Sequence, residues 1–214
     1  MSSETFTPDK VIGGDFPIKT SPETLESGEN LSRGCVMGKK TVGTVAATGL
    51  ADAGNTGDGT CTGVAAKKNV QPGTYTAKGI LAATDGGTFE ILAPDGSQVG
   101  IAQVGVAFTS DQLDLTINDG TTDFAVGDIF TITTPAGSGE LVSVNSAAID
   151  GSGNPYGVLL EDKDASGGAQ SIPVALTGEF NEEALTFGGS DTAATHKDAM
   201  RKLSMFQVTP ITNT

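Results

Sequence analysis

Residues 74–104 read TYTAKGILAATDGGTFEILAPDGSQVGIAQV, three strand-like runs (74–81, 88–92 and 99–104) separated by Asp85-Gly86-Gly87 and by Pro94-Asp95-Gly96-Ser97. Apolar and polar side chains alternating over runs of this length are the period-two signature of half-buried strands. Glycine supplies positive φ and aspartate hydrogen-bonds its own turn backbone, so both spacers have the chemistry and the length of hairpin loops. The same pattern extends outward, with runs at 61–66, 113–117 and 129–133 bounded by glycine or by turns such as Asn118-Asp119-Gly120. Six or seven antiparallel strands are therefore expected between residues 60 and 134, as a small sandwich or barrel.

Composition points the same way. Val, Ile and Thr supply 54 of the 214 residues, Gly another 30, and tryptophan is absent. That mixture favours short strands and tight turns and excludes an all-helical protein. Twelve basic against 26 acidic residues leave a net charge of −14. Such a surface repels phosphate backbones and anionic headgroups, which argues against nucleic-acid and membrane partners and favours a basic or weakly charged protein surface. No apolar run approaches the ~18 residues of a membrane span, and the first ten residues lack a signal-peptide core, so a soluble protein made in the cytoplasm is expected. Two cysteines, Cys35 and Cys61, are too few for a disulfide scaffold and read as buried thiols.

Residues 1–30 carry their apolar side chains as scattered singles, Phe6, Val11, Ile12, Phe16 and Ile18, between Pro8, Pro17, Pro22 and several glycines. This stretch is expected to be an extended arm that orders by lying along another surface. Glu4-Thr5-Phe6-Thr7, then Pro8, then Val11-Ile12 suits a segment added to the edge of a partner's sheet. A turn-rich cluster, ADAGNTGDG at 51–59, separates two strands after Leu31 from the regular runs. The expected division is an arm at 1–30, a discontinuous core at 31–51 and 135–214, and an inserted β module at 52–134. Strands are expected at 141–144, 157–160, 172–176 and 205–211. One helix over 193–202 is capped by Ser190 or Asp191, with Lys197, Arg201 and Lys202 toward its carboxyl end.

No catalytic constellation emerges. Asp150, Ser152, Asn154 and Glu161 match four positions of a calcium loop, but Pro155 stands where that loop needs glycine, so a turn is expected. His196 is the single histidine, without the further ligands that zinc needs, and there is no Gly-x-Ser-x-Gly elbow to make it a general base; it reads as a solvated surface residue. The glycine-rich stretches 54–59 and 151–157 lack the lysine and helix of a phosphate loop. The carboxylate pairs Asp162 with Asp164 and Glu182 with Glu183 read as solvated acidic faces. No enzyme activity, metal or cofactor is expected.

Ser3-Glu4-Thr5-Phe6-Thr7, the strand Tyr156-Gly157-Val158-Leu159-Leu160, the strand Leu176-Thr177-Gly178-Glu179-Phe180, and the helix and closing strand from Asp191 to Ile211 follow one another in an order and spacing that resemble the head decoration (capsid-stabilising) proteins of tailed bacteriophages, of the lambda decoration type. Residues 51–134 depart from the small prototype. They look like an inserted module of phage structural proteins that opens with Gly54-Asn55-Thr56-Gly57-Asp58-Gly59-Thr60 and ends with Gly127-Asp128-Ile129-Phe130-Thr131-Ile132. The resemblance implies a mainly β fold with one short C-terminal helix, and a homotrimer on the outer surface of the expanded capsid, made in the host bacterial cytoplasm. It further implies that an arm containing Ser3, Glu4, Thr5, Phe6, Thr7, Pro8, Val11 and Ile12 pairs with the major capsid protein and clamps the shell against internal DNA pressure. The competing expectation is a phage tail or surface adhesin that binds host carbohydrate through the inserted module.

Overall fold

Twelve consecutive residues, Gln170–Asn181, run as one strand, with Ile172, Val174, Ala175, Gly178 and Phe180 buried along it. β-branched and aromatic side chains suit such a pleated, half-buried surface. This strand is the spine of a mainly β protein, 46% strand and 6% helical, in a computed structural model that describes residues 10–209.

In chain order the first strands are β1 (Lys19–Leu25), β2 (Asn30–Leu31), β3 (Val36–Lys39) and β4 (Leu50–Ala51). They are followed by β5 (Thr60–Ala66), β6 (Gly73–Ala83), β7 (Gly86–Leu92), β8 (Gln98–Gln103), β9 (Ala107–Thr109), β10 (Leu113–Asn118) and β11 (Ile129–Thr134). The last are β12 (Leu141–Ser143), β13 (Pro155–Leu159), β14 (Lys163–Asp164), β15 (Gln170–Asn181) and β16 (Met205–Val208), with helix α1 (Ala193–Lys202) preceding β16. The chain forms two compact units, one from the residues up to Lys40 together with those from Gly139 onward, the other from Thr41–Ser138.

In the first unit the strand order is β1-β12-β3-β13-β15-β16, and β1 also pairs with β15. That extra pairing closes five strands into a barrel, which removes their free edges. Leu25, Met37, Leu141, Leu159, Ile172 and Val174 fill one part of its interior. Val36, Val158, Phe180 and Met205 form a second cluster with Met200 of α1; Val36 and Val158 adjoin Met37 and Leu159 in sequence, so they face the opposite side of the sheet. Pro22 stands opposite Pro173 in the β1–β15 ladder. Neither strand loses a bond to the other there, because the carbonyl of Pro173 faces β13 and accepts from the Leu160 amide at 3.2 Å.

Residues 19–25, expected within an extended arm, are thus a strand of this chain's own barrel. Their side chains conceal it. Only Leu25 is buried in β1, and the pairing rests on main-chain bonds that leave no mark on the apolar pattern.

In the second unit a five-stranded antiparallel sheet, β4-β11-β6-β7-β8, faces a three-stranded one, β5-β10-β9. Tyr75, Phe89, Ile91, Phe130 and Ile132 from the first meet Cys61, Leu113, Leu115 and Ile117 from the second. Phe124 stands edge-on to Phe89 at 5.0 Å and to Phe130 at 5.8 Å. Tyr75 is fully buried, and its hydroxyl accepts from the Gln71 amide and donates to Gln112 Oε1, both at 2.8 Å. The six runs expected between residues 60 and 134 each form a strand; β9, three residues long, is too short for the period-two reading to register. Val42 and Val45, expected in the discontinuous core, pack instead with this second core.

The two motifs that bound the module are bonded to each other. Asp128 accepts from the amides of Thr56 (2.8 Å), Gly57 (2.9 Å) and Ala125 (3.0 Å), while Asn55 exchanges two side-chain hydrogen bonds with the backbone of Ile129 (2.8 and 2.7 Å). Gly57 is required for this approach, since a Cβ there would lie 2.5 Å from Phe124 Cδ1 and 2.9 Å from its Cα. Burial alone would raise the Asp128 carboxyl, but the three amides outweigh it and hold the group below its ordinary value.

Two substitutions test these anchors. Leu25→Ala empties a fully buried site and should lower unfolding free energy in urea by about 2–5 kcal/mol, where an unstructured arm would show no change. Asp128→Ala removes the carboxylate that accepts from the Thr56, Gly57 and Ala125 amides and should cost about 1–3 kcal/mol, read as a loss of the second unit's amide-exchange protection.

Candidate functional site

The segment Lys10–Ile18 lies along the carboxyl half of β15, beside β16. The Asn181 amide donates to the Val11 carbonyl (2.9 Å), Asn181 Nδ2 donates to the Lys10 carbonyl (3.0 Å), and the Gly13 amide donates to the Glu179 carbonyl (2.9 Å). Ile12 bridges Phe180 in antiparallel sense. Glycine is needed at this contact: a Cβ at Gly13 would lie 2.3 Å from Val208 Cγ2 and 3.0 Å from the Asn181 nitrogen. The segment then turns toward β1, with the Phe16 amide on Glu179 Oε2 (3.3 Å) and the Pro17 carbonyl accepting from Thr177 Oγ1 (2.8 Å).

These contacts bring Phe16 against Phe206 of β16, ring centroids 5.0 Å apart and planes at 73°. Phe16 and Ile18 remain exposed. β16 is the terminal strand of its sheet order, where main-chain groups are a template for a further strand. Among the described residues the site therefore joins an edge strand and a partly exposed aromatic pair.

Of the residues expected to form a binding arm, Ser3, Glu4, Thr5, Phe6, Thr7 and Pro8 lie outside the described residues. Val11 is buried in the core and Ile12 packs against it, so this chain's own barrel engages both. The signal that placed them in the arm, isolated apolar residues among glycines, equally marks a strap lying flat on a strand.

His196, expected at the surface, is buried. Its ring stacks on Phe187 (5.5 Å, 12°) and its Nε2 lies 2.8 Å from Asp191 Oδ2. Asp191 does not cap α1; Thr192 does, its amide donating to Thr195 Oγ1 at 3.2 Å. The Asp191 carboxylate instead takes the Ser146 amide (2.5 Å) and hydroxyl (2.6 Å), tying the helix start to the loop after β12. The carboxylate sits between the serine and the imidazole, which is not the order for nucleophilic attack, where the imidazole must touch the hydroxyl. Cys35 and Cys61 are buried free thiols, both pushed up by burial.

The oxygens of the calcium-like run serve turns: Asp150 Oδ1 accepts from the Ser152 amide (3.0 Å) and hydroxyl (2.6 Å), and Glu161 pairs with Lys163 (3.3 Å). Among the described residues one carboxylate group, Asp85, Asp119 and Asp123, brings oxygens within 4.8 Å of one another. Asp85 and Asp123 are exposed, and Asp123 accepts from the Asp85 amide at 2.9 Å, while Asp119 is half-buried and its Oδ1 has no hydrogen-bond partner among the described residues. Among the described residues no helix is long and apolar enough to cross a membrane.

The Ser146 hydroxyl and amide, with His196 beyond them, hold the Asp191 carboxyl down at about 2. A depressed folded-state value contributes stability that is complete above the ordinary aspartate range and lost as pH falls toward about 2. Denaturation measured between pH 6 and 2 should show that acid limb in the wild type. Asp191→Asn should be less stable at neutral pH and flatter across the window.

A family model for the bacteriophage lambda head decoration protein D matches residues 11–208. Two crystal structures of Xanthomonas campestris FlgL, in space groups H3 and C2, align with 49% of this chain at 22% and 21% identity and a TM-score of 0.33. The chain covers 33% of each, and at that score the alignment does not establish a common fold. A search of curated proteins finds no match.

Proposed function

This chain belongs to the family of the bacteriophage lambda head decoration protein D, and from that premise we propose how it acts on the capsid. It is a capsid-associated structural protein of the phage head. In our reading it sits on the outer surface of the expanded shell as a homotrimer, and residues 3–8 add as an extended strand to a sheet of the major capsid protein, with Phe6 as the anchor. The work is mechanical rather than catalytic. A ligand that binds the expanded shell alone stabilises that state against internal DNA pressure, and three weak arms on one trimer gain avidity without new chemistry.

The family match over 11–208 carries this reading. The geometry supports a shorter arm than the sequence suggests. Residues 10–18 are engaged with β15, so of the expected arm the reading keeps residues 3–8 for the partner. A net charge of −14 suits a basic or weakly charged partner face.

Co-sedimentation with expanded, undecorated capsids tests it, with unexpanded procapsids as control. The full chain should bind expanded shells only. A chain lacking residues 1–9, or carrying Phe6→Ala, should keep its melting temperature and bind at least tenfold more weakly. Undiminished binding by both variants would remove the arm from the mechanism, and no binding by the full chain would reject the capsid reading for that shell.

A further inference from the structure

The five-stranded sheet of the second unit has one face in the core and one in solvent. Register sets Ile129, Lys78, Glu90 and Ile101 side by side across β11, β6, β7 and β8, all on the outer face. The neighbouring row shares that face, since Gln98 Nε2 donates to Glu90 Oε1 at 2.9 Å. Leu50 and Leu81 in the flanking rows are 74% and 61% exposed, and Ile101 is 46% exposed. Isolated exposed apolar residues are ordinary, whereas here strand register gathers several of them on one face around the Lys78/Glu90 row.

Charge identifies the occupant. The whole chain carries −14, and residues 41–138 contain ten acids against three bases. The five strands of this sheet contain one acid and one base, Glu90 and Lys78, directly opposite each other. Neither forms an ion pair among the described residues. This is therefore a face on which a second, equally acidic copy can approach without repulsion.

The row is also self-complementary. A two-fold axis along the strands, midway between β6 and β7, sets Lys78 against Glu90 of the second copy and Ile129 against Ile101. That is the condition for an isologous contact, in which residue i meets j and j meets i. Two sheets packed face to face bury such rows at roughly 10 Å separation.

We propose that the outer face of the β4-β11-β6-β7-β8 sheet is a contact between two copies of this chain. It does not depend on how the first unit associates or on capsid attachment. The Lys78/Glu90 pairing specifies its geometry.

Sedimentation velocity of the full chain over a concentration series tests it, using the wild type, Lys78→Glu, Glu90→Lys and an equimolar mixture of the two variants. Both positions are on the surface, so the fold should survive, with circular dichroism as the check. The wild type should show a concentration-dependent association step. Each single variant sets like charges face to face and should weaken that step by about tenfold or more, while the mixture, which sets acids against lysines, should restore it. A wild type with no such step, single variants that associate like the wild type, or a mixture that fails to recover would each overturn the proposal. Capsid co-sedimentation is scored separately, so its failure leaves this result readable.

Discussion

The pairing of β1 with β15 is the constraint on which the first unit depends. Without it, β12, β3, β13 and β15 form an open sheet with two unpaired edges; with it, the ladder closes and Leu25 is carried into the interior beside Leu141 and Ile172. The two strands lie about 150 residues apart in the chain, and everything between them must either fit inside that closure or be set aside from it. Residues 41–138 form a compact unit with its own aromatic core. Loop-closure cost grows only slowly with length, so a folded insertion between barrel strands is thermodynamically tolerable.

The insertion solves its own closure differently. Its two ends are joined by a polar clasp, Asn55 on the backbone of Ile129 and Asp128 on the amides of Thr56, Gly57 and Ala125. An ionised carboxylate accepting three amide protons is a strong, directional fastening. It explains why each motif carries one polar clasp residue, Asn55 in the opening motif and Asp128 in the closing one: they are two halves of one joint. The aromatic trio Phe89, Phe124 and Phe130 supplies the apolar area, with Phe124 packed against the glycines that let the clasp close.

Attachment to a capsid asks for stable folded units with a few adaptable contacts. The barrel engages the chain from Lys10 onward, through main-chain bonds to β15. Buried polar groups such as Asp191 and His196 brace the start of α1. The chain's strong negative charge restricts where copies can meet, and the near-neutral outer sheet of the second unit stands out against it.

Most of what was legible in the sequence was local. Hairpin spacers with Asp-Gly chemistry and period-two runs placed β6, β7 and β8, and the helix over 193–202 showed in its basic carboxyl end, because these signals lie within a few residues of the structures they create. The family was legible from the order of short motifs. What the chain alone did not disclose was decided by partners distant in sequence. β1 has the composition of a linker and becomes a strand because β15 offers it main-chain bonds. His196 looks solvated and is buried because Phe187 and Asp191 close over it. Val11 and Ile12 look like part of a free arm and are held by β15. Side-chain pattern determines which segments can be strands, whereas only the tertiary structure decides which edges they close, since backbone hydrogen bonds carry no signature in the identity of the residues that make them.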